Sequence, residues 1–343
     1  MDTTTHIIIG LGLGALSQID PIVAESTTLS YATLLGTLIG SNAPDFDYVY
    51  KFKGNSSYYR HHRGLSHSLL ALPLWGLAVS GTIYSFLPDI SYLHLFIWTF
   101  LSVTLHVFLD LFNVYGTQVI RPFSTKWISF DSIPLVDPYI LVLHTIGFFL
   151  LPFYEPGRVF LVVYLLMFLY ILIRTAYAYY TKRYLQGYFQ NAIHIKLIPR
   201  ARILYWGLLI ETEDDFLFGE YSRKSLIIEH TLPKKQLDSE MILESMNNSL
   251  VTDFLSSTDY AYPFVEKKKN GTFVYWKDLR FRHNKFFPYL AVVFISAELK
   301  NTASYTGWVS SLKKYKKVIR KLEQTSASNS GKKKSYFRGV TID

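Results

Sequence analysis

Residues 44–68, PDFDYVYKFKGNSSYYRHHRGLSHS, bring several chemistry-bearing side chains close together in sequence. Two carboxylates (Asp45, Asp47), three imidazoles (His61, His62, His67) and the guanidinium of Arg63 fall in a polar segment between apolar stretches. Carboxylate oxygens and neutral imidazole nitrogens are the donors that hold zinc and its neighbours. In an extended segment, residues two apart point to one side, so Asp45 and Asp47 can both face a site. One would bind metal while the other orients a ligand or bridges a second ion. Ser66 reads as an N-cap for the apolar run that follows. The orphan amides of that first turn, with Arg63 beside them, would favour an anion next to the imidazoles.

A second element is His106-x-x-x-Asp110, within TFLSVTLHVFLDLFNVYG. Residues four apart share one helix face, so imidazole and carboxylate converge in an apolar segment where a lone Asp is costly. Alone, the pair reads equally as a hydrogen bond that stabilises a bundle. With the 44–68 loop to supply further ligands, metal binding is the better reading. There is no Cys in the chain, so any metal must be held by His and carboxylates. His62 is preferred over the adjacent His61, which reads as solvated, and Arg63 reads as a phosphate contact or a topological anchor. Asp131 and Asp137 are turn residues or groups standing behind the ligands. His94, His144, His194, His230 and His283 have no partner pattern.

The elements that must position these groups are apolar. Of 343 residues, 50% are hydrophobic, with 26 Tyr and 25 Phe, a high share for a soluble protein. Apolar runs cover about 7–16, 29–39, 68–87, 92–113, 139–151 and 159–173. The first lacks the basic n-region of a signal peptide, since Asp2 precedes it and no Lys or Arg does. Leu87-Pro88-Asp89-Ile90-Ser91 joins two of the runs as a helical hairpin. The fold class expected is mainly α, a polytopic transmembrane helical bundle followed by a smaller strand-rich (β or α+β) soluble domain. After Gln190, the runs IHIKLIP, ARILYWGLLIET, SLIIEHTL, GTFVYWKDLRF and PYLAVVFISAEL read as strands. The expected divisions are 1–183, a membrane helical domain with the metal site; 190–310, a strand-rich cytoplasmic domain; and 311–343, a basic mobile tail.

Charge orients the chain. If each apolar run crosses, one side receives Lys51, Lys53, Arg60, Arg63, Arg121, Lys126, Lys182 and Arg183, and the other only Arg158. The positive-inside rule makes the first side cytoplasmic, with both termini, His6 and the loops 44–67 and 114–137 on it. The formal charge of +9 suits anionic lipid. No nucleic-acid-binding motif is present, so nucleic acid is not the expected partner.

His6, PDFD at 44–47, HRGLSHS at 62–68, HVFLD at 106–110 followed by Gly116, and Asp137-Pro138 resemble, in order, the motifs of the YdjM-like family. This is a family of membrane-bound, predicted metal-dependent hydrolases, LexA-regulated in some bacteria. The resemblance covers about residues 1–178. It implies a bacterial inner-membrane protein and a metal set drawn from His6, Asp47, His62, His67, His106 and Asp110, with Asp45 and Arg63 as catalytic candidates. A looser similarity, in the order of Asp, His and HxxxD, is to zinc-dependent phospholipase C, several of whose ligands this chain lacks. The function expected is a multi-pass membrane hydrolase using zinc, or manganese or iron, on a phosphoester or phospholipid at the cytoplasmic face. A membrane-anchored regulatory protein with a structural metal, or a transporter, are the rival classes. Substrate, number of ions and oligomeric state are not set by the sequence.

Overall fold

The structure is a computed structural model that describes residues 1–223, 225–234, 240–282, 286–296, 302–309 and 311–329. Its helices follow the apolar runs, and small polar residues open several of them. Asp2 caps α1 (Thr3–Leu16), Asp20 caps the short α2 (Pro21–Glu25), and Ser26 caps α3 (Thr27–Gly40). A 3-10 segment, Ala43–Lys53, leads to α4 (Asn55–His61), and a 3-10 turn, Leu65–His67, precedes α5 (Ala71–Phe86). Then come α6 (Tyr92–Asp110), α7 (Pro138–Leu150) and α8 (Pro156–Tyr188). Among the described residues, α6 and α8 are long and apolar enough to cross a membrane, whereas α1, α5 and α7 are apolar but shorter.

Glycines set how closely three of these helices approach. A Cβ on Gly36 would lie 2.3 Å from Thr99 Oγ1, and one on Gly40 2.9 Å from the Thr99 carbonyl, so α3 and α6 pack almost backbone to backbone. On α1, a Cβ at Gly10 would meet Ser41 Oγ at 2.2 Å, and one at Gly14 would meet Leu34 at 2.5 Å. Both pairs are spaced four apart, the small-xxx-small pattern that lets apolar helices touch where lipid offers no hydrophobic drive. The consequence for the site is direct: Ser41, at the end of α3, reaches His106 on α6.

The chain forms two units, Met1–Asp47 with Arg63–Thr231, and Tyr48–His62 with Leu232 onward. The first holds the helices α1–α3 and α5–α8 and an antiparallel meander of β1 (His194–Pro199), β2 (Tyr205–Glu211), β3 (Asp215–Ser222) and β4 (Ser225–Pro233), whose last residues pass into the second unit. The helices end at Tyr188, but the compact unit that contains them continues through this meander to Thr231. Helix α8 continues past its apolar run as an amphipathic helix, and Ala178 and Leu185 pack with Leu197, Trp206, Leu208 and Ile210 of the sheet. Arg174, buried on α8, donates to the Ser132 and Arg200 carbonyls, to Tyr170 and to Asp137, tying the 131–137 loop to the sheet side.

The second unit contains α4, α9 (Glu240–Met246), α10 (Ser249–Ser256), and an antiparallel sheet of β5 (Ala261–Lys268), β6 (Gly271–Asp278), β7 (Tyr289–Ser296) and β8 (Thr302–Trp308). The expected mobile tail is ordered as far as Asn329. Residues Leu312–Asn329 form α11, which buries Val318 and Leu322 in the core of this sheet. Residues 330–343 lie outside the described residues.

Candidate metal centre

Three segments deliver four polar residues to one end of the first unit's helices. His106 and Asp110 stand one turn apart at the C-terminal end of α6, Asp45 lies in the 3-10 segment after α3, and His67 ends the 3-10 turn before α5. His67, His106 and Asp110 are fully or almost fully buried, and Asp45 is 20% exposed at its side chain. One donor atom from each lies within 4.8 Å of all the others. His67 Nε2 is 3.2 Å from His106 Nε2, and 3.5 Å from both Asp45 Oδ1 and Asp110 Oδ2. His106 Nε2 is 3.7 Å from the same two oxygens. A tetrahedral ion bound at 2.0–2.2 Å holds its donors about 3.3–3.6 Å apart, so the four atoms already stand near the corners such an ion requires.

Hydrogen bonds at the far side of each ring fix what faces inward. His106 Nδ1 lies 2.6 Å from the Ser41 carbonyl, which can only accept, so Nδ1 carries the proton and the neutral ring presents a bare Nε2. For His67 the chain is longer. Ser66 Oγ donates to Asp47 Oδ2 at 2.8 Å, so it accepts from His67 Nδ1 at 2.9 Å, and Nε2 is again bare. With both rings neutral, two nitrogen lone pairs and two carboxylate oxygens converge, an arrangement that a cation relieves. Asp110 Oδ2 has no hydrogen bond, which fits a ligand atom. The donor set, imidazole and carboxylate without thiolate, suits zinc, and manganese or iron after it.

The other oxygen of Asp110 is held by protein. Arg63 Nη2 donates to it at 3.2 Å, Asn113 Nδ2 at 3.2 Å, and the Met1 amine is in contact with it. Burial, with the Arg63 guanidinium nearby, holds that amine's pKa well below its usual range. Arg63 is buried, has φ of 59°, and also donates from Nη1 to Asn113 Oδ1 and from its backbone to Asp47 Oδ2. Its guanidinium is therefore engaged with the protein around Asp110. His6 stacks on the His106 ring at 3.7 Å, with Nε2 3.4 Å from Asp110 Oδ1, and neither of its ring nitrogens has a hydrogen bond. It borders the cluster of four.

Asp47 stands behind His67, the second of the two roles open to the Asp pair. His62 belongs to the second unit, where it stacks on Tyr58 at 4.7 Å; His61 there stacks on Tyr50 and approaches the Ser57 carbonyl. Ser66 caps no helix, because its hydroxyl is committed to Asp47 and His67, and α5 begins five residues later. The amides expected to bind an anion are occupied as well, Leu69 N by the Val119 carbonyl and Ala71 and Leu72 N by the Ser68 carbonyl. Asp137 caps α7 and receives Tyr170 and Arg174, and Asp131 pairs with Lys196 at 2.8 Å. Residue types left three contributors unread. Ser41 acts through a backbone carbonyl, which no side-chain pattern reveals, and Ser66 was given another task. Asn113 follows Asp110 at helical i, i+3 spacing and was legible in principle.

The profile of a family described as YdjM inner membrane protein matches residues 1–181, and that of a YfhP C-terminal alpha/beta plait domain matches 240–319. YfhP of Bacillus subtilis (strain 168), described as an uncharacterized protein, is 34% identical over 325 residues, covering 93% of this chain and 99% of the relative. No solved structure matches.

Proposed function

Since the chain belongs to the YdjM inner membrane protein family, we propose that it is an integral membrane metal-dependent hydrolase acting on a phosphoester, a phospholipid included, at the cytoplasmic face. The observation that supports this reading is the pair of bare Nε2 atoms 3.2 Å apart facing two carboxylate oxygens. Asp45, His67, His106 and Asp110 are the assigned ligands, with His6 as an outer candidate and Asp47 orienting His67 through Ser66. Bound there, zinc would polarise a phosphoryl oxygen and acidify water. Asp45, the partly exposed member, is assigned to exchange its position and take the proton of the attacking water. Arg63 steers Asp110 and is assigned the substrate phosphate as its second partner. For topology, the proposal is a multi-pass bundle in which the shorter helices α1, α3, α5 and α7 join α6 and α8, six crossings that leave both termini on the cytoplasmic side given by the charge distribution.

One observation favours a second reading. Four protein ligands complete a tetrahedron, the pattern of structural rather than catalytic zinc. The experiment that separates the two compares wild type with Asp45→Asn, purified in detergent and loaded with zinc, on a panel of phospholipids and soluble phosphoesters. A hydrolase turns over at least one substrate, and Asp45→Asn retains zinc while kcat/KM falls about a hundredfold. No turnover by zinc-loaded wild type, with loss of thermal stability on chelation, would leave the structural centre.

A further inference from the structure

Helix α11 carries six Lys or Arg and one Glu between Leu312 and Asn329. The cations are not spread around it. Lys313, Lys316, Lys317, Arg320 and Lys321 are all exposed and fall within an arc of about 140° on a helical wheel. The opposite side holds Val318 and Leu322, both buried, with Tyr315 and Ile319 packed against the sheet core beside them. The helix is thus seated on β5–β8 by its apolar side and turns a continuous basic stripe away from the sheet. On one flank Lys316 and Arg320 line a cavity of about 330 Å³ with Glu323 and with Lys268 of the β5–β6 hairpin, whose charge is already paired with Glu266. In the sequence the run continues with Lys332, Lys333, Lys334 and Arg338.

We propose that this stripe is a docking surface for anionic phospholipid headgroups. Charge complementarity supplies the attraction, since each Lys or Arg near an anionic bilayer adds a favourable increment that decays within a Debye length. The occupant follows from the rest of the chain. A protein of an inner membrane family holds a bilayer at high effective concentration for any other part of itself, whereas soluble polyanions must be captured from dilution. The exposed side of α11 also lacks the aromatic platforms on which single-stranded nucleic acid stacks, its one Tyr being turned to the sheet.

The absence of Cys makes the test clean. Gln324, exposed on the same arc, is replaced by Cys and labelled with a fluorophore in the full chain, which is reconstituted into vesicles carrying a headgroup quencher. Vesicles of phosphatidylcholine are compared with vesicles containing about 30% phosphatidylglycerol. Quenching is expected in the anionic vesicles only, reversed by about 0.5 M salt. The triple variant Lys313→Glu, Lys317→Glu, Arg320→Glu should lower the bound-to-free ratio about a hundredfold. Equal quenching in the two lipid compositions, or quenching unchanged by the triple variant, would overturn the proposal. So would quenching in anionic vesicles that is abolished by micromolar duplex DNA, since that would make nucleic acid the better occupant.

Discussion

Helix α6 carries a histidine near each end, each beside an aspartate, and the two ends differ in how many protons they hold. At the N-terminal end, His94 Nδ1 lies 2.6 Å from Asp20 Oδ2, and Trp98 Nε1 donates to the same oxygen at 3.2 Å. Donors match the acceptor there, the pair is partly exposed, and nothing further is needed. At the C-terminal end, His106 gives its one proton to the Ser41 carbonyl and faces His67, Asp45 and Asp110 with lone pairs alone. His next to Asp is therefore not the mark of a metal site. The mark is a surplus of acceptors over protons, and that surplus depends on what each ring does with its outward nitrogen.

The largest expected effect breaks or upholds this distinction. His67→Ala, His106→Ala and Asp110→Ala should each lose metal about tenfold or more, whereas His94→Ala should retain it at the wild-type level. Elemental analysis of variants that still purify as monodisperse protein makes the measurement. Wild-type metal content in all three ligand variants, or equal loss in His94→Ala, would erase the difference between the two ends.

A smaller effect sharpens it. If Asp47 and Ser66 fix the His67 tautomer, Asp47→Asn and Ser66→Ala should weaken zinc affinity about 10–100-fold while leaving a measurable site. Trp98→Phe, which removes a donor to Asp20 at the other end, should leave affinity unchanged. Titration against a chelator of known affinity reads both. Undiminished affinity in Asp47→Asn would mean that His67 is oriented by packing alone.

Much of this was legible in residue types and spacing, and the omissions have physical causes. The apolar runs gave the helices because period and length dominate in apolar segments, and the four convergent ligands were all among the candidates. In sequence the first sheet looks like part of a separate domain, because α8 changes from apolar to amphipathic near Arg174; in the structure Ala178 and Leu185 pack the sheet against that helix. Strands β3, β5 and β8 were not read, being polar or mixed in sequence (DFLFGEYS, AYPFVEKK, TASYTGW) and stabilised by pairing with central neighbours. Helix α11 resembles a tail in sequence because its charge density masks the helical spacing of Tyr315, Val318, Ile319 and Leu322. The Gly36 and Gly40 contacts, which bring Ser41 to His106, depend on which helix lies opposite, and no single segment carries that information.

The smallest effect lies at the satisfied end, in its pH dependence. Burial opposes ionisation of Asp20, but the hydrogen bonds from His94 and Trp98 outweigh it and hold the carboxyl below its ordinary value of 3.8. A carboxylate whose folded pKa is lowered binds fewer protons than in the unfolded chain. Its contribution is therefore complete above the unfolded pKa and is lost as pH falls through the folded one. Because the pair is partly exposed, screening limits its worth to about 0.5–1 kcal/mol. Thermal melts of wild type and His94→Ala in detergent should differ by that amount at pH 6, and the difference should shrink as pH falls through the folded pKa of Asp20. A difference that persists unchanged down to the acid limit of folding would mean that His94 contributes packing rather than a hydrogen bond to a carboxylate, and the balance of donors and acceptors assigned to that end would fail.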